Sequence, residues 1–259
     1  MNSKISLFSH FTGKRQGTIL VVIISCLLST LSFSQMTVAS NVVNNTSSTT
    51  EVKQKTIDQS NPYKMVKSAA EKTFKRFSSE QQAIQENPNL LKDIVREELM
   101  PYINHRYSAF KVIGKHLKNT TAEERSEFVP VFREYLITSY AQVFTLYENQ
   151  PVEFAPEKSF ADKRIVAVRT KIIMSGRDDI DVSFKVRLNK KTQQWQAFDL
   201  VAEGVSLLDA KQAELSSIIR QKGLPYVTEL LKIKSTRDIV IKNRAVKGKG
   251  SVVKIDKDK

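Results

Sequence analysis

The chain has a single cysteine, Cys26, set inside an amino-terminal apolar stretch. With cleavage expected after Ser40, the mature protein has none. That excludes disulfides, a thiolate nucleophile and a Cys-ligated metal. Histidine is almost as scarce. His105 and His116 are the only two beyond residue 40, they are too far apart in sequence for a metal pair, and no HExxH pattern occurs. Glu203-Gly204-Val205-Ser206-Leu207 lacks the Gly that follows the serine of a nucleophile elbow. Gly248-Lys249-Gly250 does not have P-loop spacing. Glu97-Glu98 reads as a solvated helix face and Asp178-Asp179 as a turn, and neither spacing implies facing carboxylates. The missing chemistry points to binding rather than catalysis, with no enzyme activity, cofactor or metal expected.

A long apolar run is also missing. Thr18 to Phe33 is uncharged, but about 16 residues fall short of the ~20 a spanning helix needs. Lys4, Lys14 and Arg15 precede it and Val38-Ala39-Ser40 follows, the layout of a cleaved secretory signal over residues 1–40. Ile23-Ile24-Ser25-Cys26 has the form of a lipoprotein box, yet Leu27, Leu28, Leu31 and Phe33 stay apolar where a lipidated chain would turn polar. Removing 40 of 259 residues leaves 219, enough for one large domain with its own core.

Charge is plentiful and of one sign. The net charge is +14, and residues 1–40 carry three Lys/Arg and no acid, so the remainder is +11. Residues 234–259 hold nine Lys/Arg and three Asp, placing +6 in a tail that reads as mobile from Arg237 onward. Such a tail suits anionic lipid headgroups, or is a solvated tail that keeps the protein soluble. Nucleic acid is not an expected partner of an exported protein. Residues 41–60, rich in Asn, Ser and Thr, read as a linker.

Between linker and tail, residues 61–234 change period. Asn61-Pro62 is a cap followed by proline at a first helical position, with Met65, Val66, Ala69, Ala70, Phe74 and Phe77 at helical spacing. Asn87-Pro88 starts a second helix that Pro101 stops, and a third runs through Tyr107, Phe110, Ile113 and Leu117. Thr121-Ala122-Glu123-Glu124 is a capping box opening a long helix, with a kink expected at Pro130. Then 164–174 and 180–188 read as strands, the second alternating strictly between apolar and polar residues. Trp195 to Ala202 is a third strand, and Val152 to Ala155 a shorter one. A helix capped by Ser206 and closed by Gly223 follows, then a short helix at 226–233. The layout is α+β: an antiparallel sheet of about four strands packed against several helices.

The run Trp195-Gln196-Ala197-Phe198-Asp199-Leu200-Val201-Ala202-Glu203-Gly204-Val205-Ser206 carries a further signal. With Asn61-Pro62-Tyr63-Lys64, Glu98-Leu99-Met100-Pro101-Tyr102 and the spaced aromatics of 121–147, it resembles the periplasmic phospholipid shuttles of the Mla (maintenance of lipid asymmetry) system, also called toluene-tolerance proteins. The resemblance covers about residues 61–234. It implies a soluble, monomeric periplasmic carrier enclosing phospholipid in an apolar pocket. Its expected partners are an outer-membrane lipoprotein complex and the MCE-domain protein of an inner-membrane ABC transporter. On that basis the pocket is placed at Val166, Val168, Ile172, Val182, Phe184, Val186, Phe198 and Leu200 of the sheet, and Phe110, Tyr140, Phe144 and Tyr147 of the helices. Asp199 lies between apolar neighbours and should need a buried partner. Trp195 reads as a core anchor. The alternative is a non-catalytic periplasmic interaction module with a filled core, gripping anionic envelope surfaces through its basic tail.

Overall fold

The computed structural model describes residues 57–241. The expected signal segment, most of the linker and the end of the basic tail lie outside the described residues. Helix α1 (Pro62–Ser79) begins where Asn61 Oδ1 accepts from the Tyr63 and Lys64 N–H groups at 2.9 and 3.1 Å. A short α2 (Gln81–Glu86) follows. Helix α3 (Leu90–Ile94) continues as a π turn, Val95–Leu99, and a 3-10 turn, Met100–Tyr102, that holds Pro101. Asn104 caps α4 (His105–Ile113), which tightens into a 3-10 segment, Gly114–Asn119.

Thr121 and Glu124 form the capping box of α5 (Ala122–Phe144). This helix stays continuous through Pro130, where a kink was expected. Pro130 and Ser126, whose carbonyl the proline leaves without a helical donor, are both exposed, so that carbonyl is open to solvent. A break falls in α6 (Leu207–Ser235), at Gly223 with φ 81° and ψ 169°. Pro225 restarts the helix just beyond, so the expected closure and second segment share one element.

The sheet is an antiparallel meander in the order β1 (Val152–Phe154), β2 (Ile165–Ile172), β3 (Ile180–Asn189), β4 (Gln194–Ala202) and β5 (Val205–Ser206). The fifth strand adds to the four expected; two residues are too few to show alternation. It exists because Glu203 and Gly204 both take positive φ, 49° and 78°, the two-residue turn that matches strand twist. Val201 pairs with Ser206 and Ala202 with Val205 across it.

Three cores follow from this order. Phe128, Phe132 and Tyr135 of α5 pack with Leu215, Leu224 and Leu231 of α6 and Ala109 of α4. Val166, Val168 and Val186 of the sheet pack with α1 and with Trp195, which is 3 % exposed, as an anchor should be. Phe77, Ile94 and Ile137 form the third with Ile239. That last residue corrects the expected boundaries of the folded part. Ile239 is 4 % exposed, its N–H donates to Asn89 Oδ1 at 3.0 Å, and Gln142 holds Val240 through both its amide atoms. The start of the basic tail is therefore docked as far as Ile241, because its alternating isoleucines give it an apolar edge to bury. At the other end, the Gln59 carbonyl accepts from the Trp195 N–H at 2.8 Å, so the linker joins the fold before residue 61.

Ile239→Ala should cost about 2–4 kcal/mol in chemical denaturation, the usual range for emptying a buried aliphatic site. Val240→Ala, at a position 58 % exposed, should stay within about 0.5 kcal/mol of the parent.

Candidate functional site

Two neighbouring cavities lie where the sheet meets the helices. The first, about 90 Å³, is walled by Met65, Val66, Ala69 and Ala70 of α1, Leu99, Tyr102 and Ile103, Tyr140 and Phe144 of α5, Phe184 of β3, and Ala197 to Leu200 of β4. The second, about 40 Å³, is walled by Ser108, Phe132, Tyr135, Leu136, Ser139, Val143, Leu207, Leu208 and Lys211, and again by Tyr140, Phe198, Asp199 and Leu200. Tyr140 and the β4 segment thus form the partition between them. Burial pushes the Tyr140 phenol above its ordinary range, with the Asp199 charge adding to the shift.

The local fold explains why β4 serves both. Opposite Lys185 and Val186 the pairing skips one residue: Lys185 faces Asp199 and Val186 faces Ala197, leaving Phe198 as a bulge. The bulge turns the Phe198 ring to the helical core, edge-on to Tyr107 at 5.0 Å. The Phe198 carbonyl accepts from Ser108 Oγ at 2.6 Å. Asp199 has the buried partners its neighbours demanded. Its carboxylate, 2 % exposed, meets Lys185 Nζ at 2.8 Å and accepts from Ser206 Oγ at 2.7 Å and from the Leu208 N–H at 3.1 Å. The hydrogen bond to Asp199 raises the Lys185 ammonium above its ordinary value. Glu203 is bound to backbone, accepting from the Asp181 N–H at 2.6 Å.

Of the twelve residues expected at the pocket, Tyr140, Phe144, Phe184, Phe198 and Leu200 meet around these cavities. Val166, Val168 and Val186 pack instead into the core between sheet and α1. Phe110 lies under the Arg106 guanidinium on α4, and Tyr147 stacks on Phe74 at 4.6 Å. Val182 is buried against Ala202 and Thr170 along the sheet, and Ile172 sits at the strand end beside Val152. The residues the sequence reading missed are those of α1 and the 99–103 turn. Ala69-Ala70 inside an apolar stripe was the available sign of a close approach to another layer.

Among the described residues no cluster of His, Cys, Asp or Glu could hold a metal ion, and no helix is long and apolar enough to cross a membrane. The site's one carboxylate is occupied by its three donors. What the arrangement offers a ligand is apolar surface.

Comparison with known proteins bears on what that ligand is. A family model described as MlaC protein matches residues 67–233. The intermembrane phospholipid transport system binding protein MlaC of Haemophilus influenzae is 32 % identical over 185 residues, covering 71 % of this chain and 86 % of that protein. In structure, the chain resembles the phospholipid-binding protein of Ralstonia solanacearum, solved in complex with a phospholipid. The TM-score is 0.60 at 18 % identity, over 68 % of this chain and 97 % of that one, a likeness of fold.

Asp199→Ala should destabilise the protein by about 3 kcal/mol in urea titration, because it leaves Lys185 and the Leu208 N–H without their acceptor. The raised Tyr140 pKa has a definite sign. The unfolded chain releases that proton near pH 10 and the folded one holds it, so stability falls as pH rises past about 10. Tyr140→Phe should flatten this alkaline loss of stability and leave the neutral-pH midpoint almost unchanged.

Proposed function

Because the chain belongs to the MlaC protein family, we infer that it is a periplasmic phospholipid carrier of the Mla pathway. The observation that carries the reading is the pair of apolar cavities sharing Tyr140, Phe198 and Leu200 at the sheet–helix junction. A two-chain lipid exposes roughly 30 methylenes, and at ~0.8 kcal/mol each the cost of crossing water exceeds ~20 kcal/mol. A carrier must therefore enclose the chains. Pockets for even drug-sized ligands run to roughly 300–1,000 Å³. Both cavities are far smaller, so lipid uptake has to displace the partition and separate α1 from β3 and β4.

The chemistry requires no catalytic group. Chain burial supplies affinity, headgroup recognition stays loose, and net transport needs only different affinities at two docking partners. We assign those partners as an outer-membrane lipoprotein complex and an inner-membrane MCE-domain protein, with the mature chain starting at Asn41. The competing interaction module called for a filled core, and the gaps around Tyr140 weigh against it.

Purified protein expressed with its export signal should carry near-stoichiometric phospholipid of mixed headgroups, read by solvent extraction and mass spectrometry. Its intact mass should correspond to a start at Asn41. Phe184→Asp, which puts a charge on the wall of the larger cavity, should lose the lipid while keeping its circular dichroism spectrum. Lipid content equal to the parent's would place the cargo elsewhere.

A further inference from the structure

Several cations of this fold are paired with carboxylates. Arg76 is paired with Glu80 and Glu97, Arg96 with Asp93 and Glu134, Lys185 with Asp199, and Lys234 with Glu214. Among the described residues, unpaired cations also line β2 (Lys163, Arg164, Arg169 and Lys171), beside Asp162, whereas residues 103–120 contain Arg106, Lys111, Lys115 and Lys118 and no Asp or Glu. All four cations are exposed, and among the described residues none forms an ion pair. Lys111 stands in the last turn of α4, and Lys115 and Lys118 follow in the 3-10 segment. Residues i and i+3 eclipse in a 3-10 helix, so Lys115 and Lys118 stack on one edge, with Lys111 about one turn before them. The strip continues onto the sheet. Arg187 lies 4.0 Å over the Tyr107 ring, and the β3–β4 turn beyond it exposes Lys190 and Lys191, also without ion pairs.

We propose that this face, centred on Lys111, Lys115 and Lys118, docks the folded domain on anionic phospholipid bilayer surfaces. The residue types choose the occupant. Protein interfaces are depleted in lysine and built around buried aromatics, and this face is dominated by lysine and lacks an exposed aromatic anchor. A compact ammonium on a flexible stem suits a fluid headgroup surface, where position need not be fixed. The proposal depends on the periplasmic setting and not on which cargo the cavities take. It concerns the folded domain, apart from the basic tail.

The test is vesicle flotation of the full mature chain at low and high salt, on phosphatidylcholine with and without phosphatidylglycerol. The parent should bind only the anionic vesicles and release them at high salt. Lys111→Gln, Lys115→Gln and Lys118→Gln together should weaken binding on the order of 100-fold, since each lysine near such a surface contributes about a factor of five. The charge-matched control, Lys64→Gln, Lys67→Gln and Lys232→Gln, should change it only a few-fold. Equal losses in both triple variants would reduce the effect to net charge and overturn the assigned face. Absence of parent binding would overturn membrane docking. So would unchanged vesicle binding by the first variant with lost capture by a purified MCE-domain protein, which would make this a protein-docking face. Extracted lipid is measured on every variant, so failure of the carrier reading would show separately.

Discussion

The carboxylate of Asp199 fixes how the two layers of this protein meet. It sits on β4, the strand that touches α1 on one side and α4 and α6 on the other. Its three donors come from β3, from the residue that caps α6, and from the first turn of α6. A charge so deeply buried is tolerated only when its lone pairs are used. The two donors at a helix start add a favourable dipole. The bulge at Phe198 belongs to the same device. One extra residue lets the strand send Phe198 into the helical core, keep Asp199 over Lys185, and present Leu200 to the cavities. Position of the cavities, direction of α6 and register of β3 with β4 are thus set at one place.

That rigidity contrasts with the cavity walls. The wall facing β4 is made by α1, whose inner surface there is Met65, Val66, Ala69 and Ala70. Such a wall is smooth, held to the sheet by dispersion and apolar burial, and contributes no hydrogen bond across the gap. Separating it exposes apolar surface, which an acyl chain then covers again. Of the polar bonds nearby, Arg76 ties α1 to the Val95–Leu99 turn and Asp199 ties β4 to α6, while the Gln59–Trp195 backbone bond joins β4 to the segment before α1 rather than to its inner face. Opening between α1 and the sheet therefore trades one apolar contact for another of the same kind. This is the condition under which a carrier can both hold and release a cargo whose transfer through water costs ~20 kcal/mol.

Much of this was legible in the sequence because the signals are local. The Asn61 cap, the capping box at Thr121, the alternation of β3 and the break at Gly223 each depend on residues within a turn of one another. The need of Asp199 for a partner was legible too, though not the partner, since Lys185 is brought opposite only by strand register. The cavity residues were half legible for the same reason. Alternation identifies the buried side of β2 and β3, but not which part of that side meets well-packed neighbours. Val166, Val168 and Val186 turned out to face the filled part. The small residues at Ala69 and Ala70 belong to a helix whose distance from the sheet no periodicity records.

The basic excess is only partly an end effect. A run of lysines is visible in one dimension, so the tail's share is seen first. Residues 234–259 account for +6 of the +11 beyond residue 40, which leaves +5 for the folded part. Exposed ion pairs add little stability, commonly under ~1 kcal/mol. That holds for the exposed pairs of Arg96, while those of Arg76 and Lys234 are partly buried. All of these carboxylates cancel charge on their faces. The net charge of the folded part is then expressed where carboxylates are few, along residues 103–120, the β3–β4 turn and β2. A modest excess spread evenly would draw the domain to an anionic surface without favouring any one face. Sorted in this way it gives the domain an orientation in the field of any anionic surface it approaches.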